Sequence, residues 1–303
     1  MSDERPRTVQ QREVVVIGGG QAGLAIGYYL ARQGRRFAIL EAAGEPAAAW
    51  RGRWDSLKLF TPVRYDSLPG LTFPGNPGSY PGRDDVVAYL SEYVRRFELP
   101  VEFDSRVRSV HSRNGGGFIV ELADRTFEAD QVVVATGPFQ VPFTPPIAAD
   151  LAPEVMQLHS NRYRSPADLP NGTALVVGGG NTGFQIATEL AATHEVHLSV
   201  GTRQTPLPQR FLGQDLFRYL EATGLMRKPV TSRMGQRMKD RETLIGSTPR
   251  RARRQGIRTR PRAIAAQDRG VRFADGTDVT VERGRLGHGL PARPLAHRAA
   301  RFR

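Results

Sequence analysis

The sequence predicts an α/β protein of two Rossmann-like dinucleotide-binding domains, and three observations carry that expectation. The segment EVVVIGGGQAGLAIGYYL sets Gly18, Gly20 and Gly23 in G-x-G-x-x-G spacing between an apolar strand and an amphipathic helix. The segment TALVVGGGNTGFQIATEL repeats the arrangement 160 residues later with Gly178, Gly180 and Gly183. The strand after the first turn closes on Glu41, whereas the strand after the second runs into Thr202 and Arg203. One glycine turn is a weak signal. Two, each between a strand and a helix, predict one chain that holds two dinucleotides.

Residues 13–17 form the first strand. In the turn that follows, Gly18 permits the tight bend, Gly20 lets backbone approach a pyrophosphate, and Gly23 lets the helix pack close to the sheet. Gln21 and Ala22 open that helix, whose N-terminal amides and dipole favour phosphate. Ala22, Leu24, Ala25, Ile26, Tyr29 and Leu30 give it a buried face, and Gly34 ends it. The strand 36–40 delivers Glu41. Its carboxylate suits the ribose hydroxyls of FAD or NAD and repels a 2′-phosphate; the alternative is a surface glutamate. Residues 44–82 are rich in Pro, Gly and aromatics without periodicity, which marks a functional loop or lid.

An amphipathic helix follows in RDDVVAYLSEYVRRF, with Asp84 and Asp85 at its positive end and Val86, Leu90, Tyr93, Val94 and Phe97 on one face. Segments 101–110, 117–122 and 131–135 read as strands, with a hairpin turn at Asn114-Gly115. The Pro-rich piece 141–153 is a crossover. The second strand–turn–helix starts at Thr173, places Asn181 and Thr182 at its helix start, and continues to a strand at 195–200. Thr202 and Arg203 suit a 2′-phosphate and so NADPH; the alternative is a solvated arginine. Residues 213–223 read as helix and 270–281 as a hairpin around Asp275-Gly276. The expected organisation is a first part of an FAD-binding domain at 1–145, an inserted NADPH-binding domain at 146–254, a return to the FAD domain at 255–282, and an Arg-rich tail at 283–303. Both domains are expected to be three-layer ββα sandwiches.

Composition excludes several classes. There is no cysteine, hence no disulfide, thiolate metal site or redox-active Cys pair. No apolar run reaches the length of a membrane span, and the polar start has no secretory signal; a cytoplasmic location is expected. The net charge is +13. Residues 250–303 carry 15 Arg, no Lys and four acids, leaving the first 249 residues at only +2. The basic run 250–262 is therefore read as solvated surface, and without stacking aromatics or a helix-turn-helix pattern nucleic acid is not expected.

The segments GGGQAGL, WRGRWDSLKLFTPVRYDSLPG, YPGRDDVVAYL, ATGPF, LHSNRYRSP and GGGNTG together resemble the flavin-containing monooxygenase-like branch of class B flavoprotein monooxygenases, over about residues 13–282. The resemblance implies that Trp50 and the stretch through Thr61 line FAD. It implies that backbone near Val107 meets the adenine, and that Ala135, Thr136 and Gly137 pass close to the flavin. His159 and Tyr163 match the end of the family signature beside NADPH. Pro153 and Val155 depart from its front, where Phe and Gly are the pattern. The implied reaction is hydride transfer from NADPH to flavin N5, addition of dioxygen at C4a, and transfer of one oxygen from the C4a-hydroperoxyflavin to an amine, sulfide or carbonyl. No catalytic side chain and no metal ligand is nominated. The implied cofactors are FAD and NADPH. The implied partners are a small organic substrate and dioxygen, with no membrane and at most a homodimer. The substrate pocket is expected between 44–82 and 205–250. Two other readings stay open: an NADPH oxidase-like flavoprotein without a defined organic substrate, and a nucleotide-sensing regulator.

The family pattern ends in a second Ala-Thr-Gly strand, whereas this chain gives RGRLGHGLPARPLAHRAARFR. A back-translation from Arg283, read one base later, restores Gly-Val-Val-Trp-Ala-Thr-Gly. A frameshift near Glu282–Arg283 is therefore expected, a natural Arg-rich tail being the alternative.

Overall fold

The computed structural model describes residues 8–229, 231–233, 235–236 and 242–281. The expected tail at 283–303 lies outside them. The first sheet contains β1 (Thr8–Ile17), β2 (Phe37–Leu40), β3 (Val101–Glu102), β4 (Ser109–Ser112), β5 (Phe118–Glu121) and β6 (Arg125–Val134), in the order β3-β2-β1-β6-β5-β4. The first four positions are parallel, and β5 and β4 are antiparallel additions. Buried Val14–Ile17 show why β1 is central. Val14 and Val16 face one apolar cluster with Leu24, Ile39 and Tyr93, while Val15 and Ile17 face a second with Val120, Leu122 and Phe127. Such two-sided burial is the mark of a covered parallel strand.

Helix α1 (Gln21–Arg32) lies on β1 and β2 through Gly23, Leu24 and Gly27. A Cβ on Gly27 would stand 2.6 Å from Ile39 Cδ1, so glycine sets how closely helix and sheet approach. This rotates the face expected from periodicity: Ile26 and Tyr29 are exposed. A short α2 (Ala48–Arg51) precedes the irregular segment, and α3 (Arg83–Arg96) packs Val86, Leu90 and Tyr93 inward. The carboxylate of Asp85 accepts from Gly82 N–H at 2.8 Å and secures the α3 N-terminus. Tyr89 and Tyr93 of α3 donate to the carbonyls of Leu71 (2.7 Å) and Pro69 (2.6 Å), tying down the irregular loop.

The second sheet is parallel: β7 (Thr173–Val177), β8 (Glu195–Ser199) and, later in the chain, Arg258–Arg260 beside β8. Helix α4 (Asn181–Leu190) packs on it with Phe184, Ala187 and Leu190. Then come β9 (Gln204–Leu207), a small hairpin of β10 (Arg210–Phe211) and β11 (Gln214–Asp215), α5 (Leu216–Ala222), and β12 (Glu242–Ile245), which pairs with β9. The strand at Arg258–Arg260 is β13. It leads into an antiparallel sheet of β14 (Ala263–Gln267), β15 (Gly270–Phe273) and β16 (Asp278–Thr280). That sheet packs Val271, Phe273 and Val279 against Leu151 and Leu175.

These pairings move a domain boundary. The sequence pattern assigns residues 255–282 to the FAD domain, but β13 extends the second sheet and β14–β16 cover its side. The long β13–β8 separation in sequence hides this pairing. Among the described residues the chain does not re-enter the first sheet after β6. The single strand expected over 101–110 is β3 and β4 with a loop between them.

Candidate functional site: two glycine turns and the segment between them

At the first turn the C-terminal ends of β1, β2 and β6 converge. Gly18 N–H donates to Leu40 O (2.8 Å), and Ala135 N–H donates to Ile17 O (2.8 Å). Gly18 adopts φ +109°, and a Cβ there would stand 2.6 Å from Ala135 O. The Ala135-Thr136-Gly137 turn thus runs directly behind the glycine turn, and Gly137 bends at φ +73°. A Cβ on Gly23 would stand only 1.9 Å from Gly18 O. Gly20 differs: nothing lies within 4 Å of where its Cβ would project. This open cradle sits before Gln21 and Ala22, both exposed, whose amides no intrahelical carbonyl reaches. The residues present fit a diphosphate there.

Glu41 closes the turn. Its carboxylate accepts from Gly19 N–H (2.8 Å) and Ala43 N–H (3.0 Å), one bond to each oxygen. Each oxygen keeps a lone pair that a ribose hydroxyl could use. Val107 lies along the same sheet, packed on the cluster of Val15 and Ile17.

The 50–66 segment bridges the two halves. Trp50 and Leu59 each pack both against the cluster of Val14 and Val16 and against the apolar core of the second domain around Phe184, Leu190 and Leu198, in which Trp54 and Leu57 are buried. Asp55 N–H donates to Arg164 O at 2.9 Å, and Arg164 returns a bond to Gly52 O. The hydroxyl of Thr61 donates to Asp66 Oδ1, while Asp66 Oδ2 is buried without a partner. Burial pushes the Asp66 carboxyl above the usual range, against the pull of the Thr61 hydroxyl. Trp54 Nε1 and Asn161 Oδ1 are also buried and unpartnered. Trp54 lies in the stretch the resemblance assigns to FAD, and Asn161 lies between the two residues it sets beside NADPH.

His159 is half-buried, and its Nδ1 accepts from Asn161 N–H at 3.2 Å. Tyr163 is a core residue: 3 % exposed, it donates to Glu189 Oε2 of α4 at 2.8 Å. Burial, then the Glu189 carboxylate, hold its phenol protonated well beyond the usual range.

The second turn repeats the first. Gly178 adopts φ +124°, a Cβ on Gly183 would meet Gly178 O at 1.9 Å, and Gly178 N–H donates to Ser199 O at 3.0 Å. Gly180 caps α4 in an extended conformation, and Thr182 is exposed beside it. Asn181 serves the fold itself. Its Oδ1 accepts from Ile245 N–H (3.0 Å) and its Nδ2 donates to Thr243 O (3.2 Å), fastening β12 to the turn.

Two residues that the sequence does not single out join this site. Gln204 donates to Gly179 O and lies over the turn as Glu41 does over Gly19. Arg262 donates to Gly201 O at 3.0 Å, which sets a second guanidinium beside exposed Thr202 and Arg203. The spacing from Gly178 points to Gly201 instead, three residues short of Gln204. Nothing local could have flagged Arg262, 61 residues beyond Gly201.

A cavity of about 420 Å³ opens between the irregular segment and the second domain, lined by Phe60, Tyr80, Phe184, Gln209 and Ile245 among others. Phe60 stacks on Phe217 of α5 at 6.2 Å, and Gln209 Nε2 donates to Phe60 O at 3.3 Å, so the cavity walls are joined.

Paired nucleotide turns, one with an acid and one with bases, on two α/β sheets define a dinucleotide-binding oxidoreductase architecture. The family model for pyridine nucleotide-disulphide oxidoreductases matches residues 15–211, and the chain belongs to that family. It is 39% identical over 89% of its length, and 78% of the relative's, to an uncharacterized CzcO-like oxidoreductase of Geobacillus kaustophilus. It is 30% identical to the indole-3-pyruvate monooxygenase YUCCA4 of Oryza sativa over 71% of this chain and 53% of that one. Among solved structures, a flavin-containing monooxygenase from Stenotrophomonas maltophilia superposes with TM-score 0.72 at 32% identity, covering 89% of this chain and 76% of that chain. Its relatives thus place it among flavin monooxygenase-like oxidoreductases. No helix among the described residues is long and apolar enough to cross a membrane.

Proposed function

We propose that this chain is an FAD-dependent, NADPH-using monooxygenase that transfers one oxygen atom of dioxygen to a small organic amine, sulfide or carbonyl compound. The observation that carries the reading is the pair of matched turns, in each of which a Cβ added to the third glycine would stand 1.9 Å from the carbonyl oxygen of the first. FAD, when bound, supplies the two-electron relay between NADPH and dioxygen.

The first turn would hold FAD through the open Gly20, the amides of α1 and the Glu41 carboxylate, with Ala135–Gly137 and Trp50 alongside. The second would hold NADPH through the start of α4, with Arg203 and Arg262 receiving the 2′-phosphate. The side chains bind, orient and exclude water; no side-chain nucleophile is required. Disulfide reduction, the activity in the family's description, needs a thiol relay, and the chain has no cysteine.

The test is NADPH consumption with and without candidate sulfides and amines, with oxygenated product quantified. Product matching NADPH used supports oxygen transfer; consumption indifferent to every candidate contradicts it.

A further inference from the structure

The seam between the two glycine turns holds cations that no acid neutralises. Arg53 is half-buried, and among the described residues its guanidinium has neither a hydrogen-bond acceptor nor a carboxylate within 4 Å. What it meets is an aromatic face: its Cζ lies 5.5 Å from the centre of the Phe139 ring. Arg164, also half-buried, directs its guanidinium at backbone, donating to Gly52 O, to Asn161 O at 3.2 Å and to Tyr163 O at 3.1 Å. The acids on these segments are engaged elsewhere. Asp55 and Asp84 pair with Arg83, and Glu45 pairs with Arg51 at 3.0 Å. Asp168 accepts from the N–H groups of Arg164 (2.7 Å) and Ser165 (3.2 Å).

The place of Arg53 in the fold gives its bare charge a meaning. Phe139 follows the Ala135–Gly137 turn, which runs behind the first glycine turn and is pinned by Gln140 Nε2 donating to Gly137 O at 2.7 Å. Arg53 follows Gly52, which Arg164 fastens to the loop of His159 and Tyr163. Arg53 therefore sits where the flavin-side turn and that loop approach one another. Phe139 is 76 % exposed, so its ring keeps open apolar surface beside the cation. Burial lowers the Arg53 pKa from its ordinary value, yet a guanidinium stays charged at neutral pH. A half-desolvated cation without a counter-charge is unfavourable until an anion meets it. The nucleotides have other seats for their phosphates, at the starts of α1 and α4 and at Arg203 and Arg262. A bare inorganic anion would leave the Phe139 ring unused.

We propose that Arg53 receives the carboxylate of a small organic acid whose apolar body packs on Phe139, with Arg164 adding positive potential from the loop side. As the seat of a substrate this rests on the function proposed above and narrows its substrate class; as an anion site it stands apart, because binding is measured without turnover.

The test is calorimetric titration of the full chain with phenylacetate and with its neutral amide, phenylacetamide. The acid is expected to bind about tenfold or more tightly than the amide, the scale of a charge-assisted pair. Arg53→Gln should remove that preference, and Arg53→Lys should keep part of it, since a lysine restores the charge without the planar fork. Phe139→Ala, an exposed substitution, should weaken both probes several-fold and leave the preference intact. Equal affinity for acid and amide in the native chain, a preference that survives Arg53→Gln, or inorganic phosphate binding as tightly as phenylacetate overturns the proposal. So does an Arg53→Gln chain that loses FAD or NADP⁺ affinity as much as phenylacetate affinity, which assigns the guanidinium to a nucleotide. Binding that behaves as expected while no NADPH-driven product forms keeps the site and removes the monooxygenase reading instead.

Discussion

Gly20→Ala separates folding from nucleotide binding. Gly20 sits at φ −77° and ψ −178°, an extended conformation open to any residue. Its added methyl meets no heavy atom within 4 Å. Alanine narrows the unfolded chain, a gain of about 0.4–1 kcal/mol, and is a poorer N-cap than glycine by a similar amount. The two nearly cancel, so stability should change by less than about 0.5 kcal/mol. The methyl does fill the space that a diphosphate needs. Pushing the phosphate off the α1 amides loses at least one charge-assisted bond of about 1.5–3 kcal/mol, a fall of about tenfold or more in FAD affinity.

Gly23→Ala is the opposite case. Its Cβ would stand 1.9 Å from Gly18 O, a backbone atom that cannot swing aside. A helix-propensity gain of about 1 kcal/mol is outweighed by overpacking that costs about 3 kcal/mol or more. Thermal melts of the apo chain and fluorescence titration with FAD read the two effects separately. Normal FAD binding by Gly20→Ala, or equal loss of fold in both variants, refutes the reasoning.

Three further outcomes follow from the same structure. Arg203→Ala and Arg262→Ala should each raise KM for NADPH several-fold and leave NADH nearly unaffected, since only the 2′-phosphate is lost; equal effects on both coenzymes remove the assignment. Tyr163→Phe should cost about 1.5–3 kcal/mol by removing the hydrogen bond from the buried phenol to the half-buried Glu189 carboxylate, read as a lower Tm; an unchanged melt refutes it. His197 is 3 % exposed, and burial lowers its pKa, with Arg260 donating to its Nδ1 at 3.2 Å. Its unfolded form therefore takes up a proton first, so its contribution is full above about pH 6.5 and is lost as pH falls through the folded value. Melts between pH 7.5 and 5.5 should show that loss in the native chain and a flatter profile in His197→Gln; parallel profiles count against it.

Much of the fold is legible in the sequence because its signals are local. The two glycine turns, α3 and α4 each declare themselves within some twenty residues through spacing and periodicity. The face of α1 departs from its periodicity because glycine packing, not apolar count, rotates it: Gly23 and Gly27 face the sheet while Ile26 and Tyr29 face out. The fate of 255–281 is illegible because the β13–β8 pairing joins residues such as Arg258 and His197, far apart in the chain. The same distance conceals Arg262 beside Gly201. Tyr163 reads as a ligand-side residue by motif, yet its position inside the second domain's apolar core, with Phe184 and Leu190, depends on α4 arriving above it.

The central claim is that twin turns hold a flavin and a nicotinamide nucleotide in one chain. The visible absorption spectrum of the purified protein, reconstituted with FAD and recorded without oxygen before and after NADPH, tests it most directly. A stoichiometric yellow absorbance that bleaches on NADPH and returns in air is the expected result. A protein that takes up no FAD, or whose bound FAD is untouched by NADPH, contradicts it.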